Sequence, residues 1–103
     1  MNRFSIITRT VPELIAASTL AVETQGEGFV EITQDAAEFL RGARAGAGIL
    51  FLYMRHTSAS LVIQENADPQ VRSDLRSALR LIAPVDGPWV HDAEGPDDMP
   101  AHI

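Results

Sequence analysis

The chain has 103 residues, 46% of them hydrophobic, with a formal net charge of -6 and a sequence pI near 4.8. That length bounds one small domain, of a size that often gains stability by oligomerising, and that composition excludes a disordered or fibrous chain. The acidic balance argues against a broad nucleic-acid surface, no stretch approaches the ~18 apolar residues of a membrane helix, and the absence of cysteine excludes disulfides and thiolate ligands. Small molecules or protein partners are therefore expected, with no nucleic acid, no membrane and a cytoplasmic address.

In chain order, Phe4 to Arg9 mixes apolar and polar residues, and Val11 to Ser18 is expected to continue as a short helix begun near Pro12. Thr19 to Thr24 and Gly28 to Thr33 alternate apolar and polar residues across Gln25-Gly26-Glu27, the pattern of a hairpin with one solvated face. Thr33 or Asp35 is expected to cap a helix running through Ala36, Ala37, Phe39 and Leu40 and stopping in the glycine-rich stretch from Gly42 to Gly48. Gly48 to Met54 is almost wholly apolar, as in a strand covered on both faces, and delivers Arg55 and His56 at its end.

Leu61 to Gln64 reads as another strand, and Asp68-Pro69 as a helix start, with the aspartate as cap and the proline at the first helical position. Val71, Leu75, Ala78, Leu79 and Ile82 then share one helical face. Arg72, Arg76 and Arg80 form a stripe on another, read here as a solvated face in preference to a phosphate-binding one. Pro84 ends the helix. Strands interleaved with two main helices give an α+β class.

The chemistry concentrates in two polar segments. His56 opens His56-Thr57-Ser58-Ala59-Ser60, and His91 and His102 bracket the carboxylates of Glu94, Asp97 and Asp98. Neutral imidazole presents a lone pair to a divalent ion while its second nitrogen donates to a carboxylate or carbonyl. His56, His91 and His102 are thus either candidate metal ligands, for zinc or magnesium, with positions left for water or a phosphate oxygen, or ordinary polar or core groups. Thr57, Ser58 and Ser60 offer hydroxyls to a phosphate, or serve as turn formers, and Asn66 either contacts ligand or stabilises the turn before Asp68. Glu65 or Glu94 either acts as general base near a metal-bound water or substrate proton or is a surface carboxylate. Gly95-Pro96 and Pro100 stiffen the loop that holds Asp97 and Asp98, and Asp97 is either catalytic or the cap of a short helix containing Pro100 and His102. Trp89, beside His91, either walls a pocket or fills the core.

Three strings in the same order, His56 to Leu61, Gln64 to Pro69 and Glu94 to His102, resemble the YjbQ-like family, also labelled secondary thiamine-phosphate synthase. The resemblance covers Thr19 to Ile103. It implies a two-layer β-sandwich, homotrimers packed sheet to sheet, and a histidine-lined cleft near subunit contacts. Family members continue past the second histidine of the last string into strands carrying a Gly-Thr-Trp-Gln-Gly signature, and this sequence stops at Ile103, short of them. The implied activity is a transferase that joins a pyrimidine pyrophosphate to a thiazole phosphate at a divalent-metal site, with Glu94 and Asp97 as catalytic carboxylates. Two other readings keep the same histidines: a non-enzymatic trimeric module that binds a metal or anion, and a metal-assisted phosphate-ester hydrolase with Glu94 as base.

Overall fold

The computed structural model describes residues 3–65 and 67–103, and among them the regular elements are helices: α1 (Thr33–Gly42), α2 (Pro69–Ile82) and α3 (Asp98–His102). No strand forms among the described residues, so the strands expected at 19–24, 28–33, 48–54 and 61–64 are corrected to irregular chain, save that Thr33 opens α1. Alternation decides which face a strand would bury, but the ladder itself needs a neighbour to take up its N–H and C=O groups. The short helix expected across 11–18 is also absent. An isolated helix of that length is marginal in water, and Val11 and Ile15, each 85% exposed, gain little from burial.

The chain divides into two compact units, one comprising the residues up to Gln25 with Val30–Gly48, the other Gly26–Phe29 with Ile49–Ile103. In the first unit, α1 sets Ala36, Ala37, Phe39 and Leu40 half-buried along one face, with Asp35 in its first turn and Arg41 in its last, both favourable to the helix dipole. Its N-cap is Ile32, with no side-chain cap, so neither Thr33 nor Asp35 plays the capping role expected of them. The C-terminus closes as a Schellman turn: Arg44 N–H donates to the Arg41 carbonyl and Ala45 N–H to the Leu40 carbonyl, each at 3.0 Å. The left-handed position of that turn falls on Arg44, with φ 54°.

The second unit carries the chemistry. Asp68 caps α2, accepting from Gln70 N–H at 2.9 Å, and Pro69 occupies the first helical position, where its missing N–H costs nothing. Val71 and Leu75 are half-buried, whereas Leu79 and Ile82 are more than half exposed. The helix ends at Ile82, with Ala83 as C-cap immediately before Pro84. The chain then folds over itself. Trp89 Nε1–H donates to the Pro84 carbonyl at 2.6 Å, and the indole lies so close to Gly87 that a Cβ there would fall 2.5 Å from the ring. Trp89 thus closes the loop after α2, and that loop leads into His91.

Candidate metal centre

The centre is built by one tight turn and one short helix. Gly95 N–H donates to the Asp92 carbonyl at 3.0 Å and Asp98 N–H to the Gly95 carbonyl at 3.2 Å, which reverses the chain between His91 and α3. Gly95 has φ 124°, a backbone region that side chains with a Cβ avoid. Asp97 precedes α3 as N-cap without a side-chain cap bond, and Pro100 lies in the first turn, where its missing N–H has no helical partner to lose. α3 then places Asp98 and His102 one turn apart on the same face.

Asp98 is the pivot. Its side chain is 6% exposed, while those of His91 and His102 are 51% and 40% exposed. One carboxylate oxygen accepts from Glu94 N–H at 3.2 Å, and the other lies 3.3 Å from His91 Nε2 and 3.5 Å from His102 Nδ1. The two imidazoles meet edge to face, with ring centroids 4.9 Å apart and an interplanar angle of 86°. A carboxylate turned away from water and towards two imidazoles is costly to bury unless something cationic or hydrogen-bonding meets it.

One donor atom from each of His91, Asp98 and His102 lies within 4.8 Å of the others. The fit to a metal can be tested on distance. Two ligands of a tetrahedral ion with bonds near 2.1 Å stand about 3.4 Å apart; His91 Nε2 and the Asp98 oxygen meet this at 3.3 Å, while the set as a whole, spread over as much as 4.8 Å, would draw together to hold an ion. His102 Nδ1 is 2.7 Å from the Asp98 main-chain carbonyl, which can only accept, so Nδ1 is the donor of that bond and Nε2 is the nitrogen left to face an ion. A ligating histidine held by a carbonyl through its other nitrogen is the usual support of a metal site. Two imidazoles and one carboxylate, with no thiolate, suit zinc and the other borderline divalent ions, and three protein ligands leave coordination positions open.

Of the three histidines expected to ligate, His91 and His102 are brought together, and His56 is not a member of this cluster. The His56 ring turns back on its own segment: Nδ1 accepts from Ser58 N–H at 3.1 Å and lies 2.8 Å from the Ser58 hydroxyl. Tyr53, Met54, Arg55, His56 and Thr57 line an open hollow of about 400 Å³. Ser60 and Glu65 are exposed, and Asn66 lies outside the described residues. Glu94 serves the cluster through its backbone N–H, its side chain remaining exposed, and Asp97 is exposed beside Gly95. The member that sequence reasoning did not assign as a ligand is Asp98. The signal was available in its four-residue spacing from His102, which aligns the two only if α3 forms.

Among known proteins, the model of the family described as UPF0047 protein YjbQ-like matches residues 5–103. The chain is 41% identical over 86 residues to UPF0047 protein YjbQ of Escherichia coli O157:H7, covering 82% of this chain and 62% of that protein. It is 41% identical over 85 residues to UPF0047 protein sll1880 of Synechocystis sp., covering 82% and 58% of the two chains, and 34% identical over 77 residues to UPF0047 protein YugU of Bacillus subtilis, covering 74% and 55%. The matched region thus spans between 55% and 62% of these relatives' lengths. No solved structure matches the chain. The family match over nearly the whole sequence agrees with the strings around His56, Asn66 and His102, and the chain belongs to the YjbQ-like UPF0047 family.

Proposed function

We propose that the chain binds a divalent ion through His91, Asp98 and His102 and uses it on a phosphorylated small molecule, in a reaction of the thiamine-phosphate synthase kind. The observation that carries this reading is the buried Asp98 carboxylate facing two imidazoles at 3.3 and 3.5 Å. In that reaction the pyrimidine loses its bond to pyrophosphate as it gains one to the thiazole nitrogen, and pyrophosphate leaves with its electron pair. A bound ion supplies neutralisation of the charge that develops on the leaving group. The Asp92–Asp98 turn and α3 hold the ligands in place before substrate arrives, so little reorganisation remains. Glu94 and Asp97, exposed beside the cluster, are the carboxylates available to move a proton. Thr57, Ser58 and Ser60 would contact substrate hydroxyl or phosphate oxygens, with Asn66 in the same role.

The same reading includes the homotrimer that the resemblance implies, with a cytoplasmic site of action. The apolar run Ile49 to Met54 supports it, because Phe51 and Tyr53 are 85% and 87% exposed and need a covering surface.

The test is pyrophosphate release by the zinc- or magnesium-loaded chain given both substrates. Release that requires the thiazole phosphate and falls at least ~10-fold in Asp98→Ala is expected. Phosphate release without the acceptor would replace the transferase with a hydrolase, and metal uptake without turnover would replace both with a binding module.

A further inference from the structure

We propose that the cleft between α2 and the Gly26–Phe29 segment is a phosphate-binding subsite, with Arg72 and Arg76 as its cationic donors. The arginine stripe of α2, expected to face water, does so only in part. Arg72 and Arg76 are half-buried and, with Phe29, Pro69 and Ser73, line a cleft of about 250 Å³.

Arg76 Nε decides the argument. This nitrogen is shielded from solvent and has no hydrogen-bond partner among the described residues. A buried donor on a cation loses its hydration without compensation, so a small shift of the Arg76 side chain that brings its Nε–H to an anion in the cleft would gain a charge-assisted bond. The next arginine of the stripe behaves differently. Arg80 donates to Glu27 at 2.8 Å, so its charge is met by a carboxylate, and the side chains are 61% and 62% exposed. Arg72 and Arg76 have no ion pair among the described residues, which leaves two planar guanidinium forks at one cleft. Two such forks match the several oxygens of a phosphate better than a single carboxylate does.

The helix N-terminus adds nothing to this site, because Asp68 already accepts from Gln70 N–H. The apolar wall at Phe29 suits a phosphate carried on a small organic body. The subsite rests on the reading of a phosphorylated small molecule as ligand, but not on the metal centre, with which it shares no residue.

The experiment titrates inorganic phosphate into the metal-free full chain at fixed ionic strength, following arginine Nε–H resonances by NMR. Arg72→Gln, Arg76→Gln and Arg80→Gln are compared with the parent, and zinc uptake is measured on the same samples. Saturable binding that shifts the Arg76 Nε–H resonance, falls at least ~10-fold in the Arg72 and Arg76 variants and persists in Arg80→Gln is expected. Absence of saturable binding, or equal loss in all three variants, overturns the subsite. If the cleft variants lose their helical signal, the Arg76 resonance of the parent chain alone decides: a saturable shift supports the subsite and an unmoved resonance overturns it. Phosphate binding without zinc uptake leaves the subsite and removes the metal reading. Zinc uptake without phosphate binding does the reverse.

Discussion

Asp98 shows how far one residue's role depends on its surroundings. In sequence it is one of several carboxylates in a polar tail, and each of those is by default a solvated surface group. In the structure it is the one buried polar side chain among the described residues, held by Glu94 N–H and facing His91 and His102. The histidines were legible as ligand types, since imidazole in a cysteine-free chain points to nitrogen and oxygen coordination. Which of them converge was not legible, because that depends on the turn at Gly95. The turn gives a test that touches no ligand. Gly95→Ala puts a Cβ 3.3 Å from the Asp97 carboxylate and forces alanine to φ 124°, a strain of about 1–3 kcal/mol. Calorimetric titration with zinc should show weaker affinity in this variant, with ligand residues intact. Unchanged affinity would mean that the turn does not position the centre.

The start of α2 was legible in the sequence, whereas the cap of α1, the helix expected across 11–18 and the strands were not. The start of α2 follows from two adjacent residues, Asp68 and Pro69, whose capping and φ preferences act within one turn. Asp68→Ala should lower the stability of this region by about 1 kcal/mol, read as a lower thermal midpoint. The end of α1 is a different lesson. Several glycines follow Phe39, yet the left-handed position is Arg44, because the hydrogen bonds from Arg44 and Ala45 fix where the turn closes. Arg44→Gly should therefore stabilise α1 by about 1 kcal/mol, and a fall in helix content or thermal midpoint would contradict that assignment. The segments 48–54 and 61–64 have the composition of strands, but pairing is non-local. Their hydrogen bonds depend on which chain lies beside them, and periodicity does not name it.

At the scale of the molecule, the described residues bury no large apolar side chain, and the accessible surface is 9943 Å². A compact monomer of 11.2 kDa would expose about 5,700 Å². The homotrimer proposed above would have to cover part of that surface. Sedimentation should give a mass near three times that of the chain, and a monodisperse monomer would contradict the trimer. Among the described residues no helix is long and apolar enough to cross a membrane. The metal centre needs only residues between His91 and His102, so it can be tested whatever the assembly proves to be. The most direct measurement is zinc affinity in the parent chain, His102→Ala and His56→Ala, with metal content recorded on each sample. Stoichiometric zinc in the parent, weakened at least ~100-fold in His102→Ala and unchanged in His56→Ala, is the predicted result. Loss of affinity in His56→Ala with His102→Ala unaffected, or no zinc uptake by the folded parent chain, would contradict a centre at His91, Asp98 and His102.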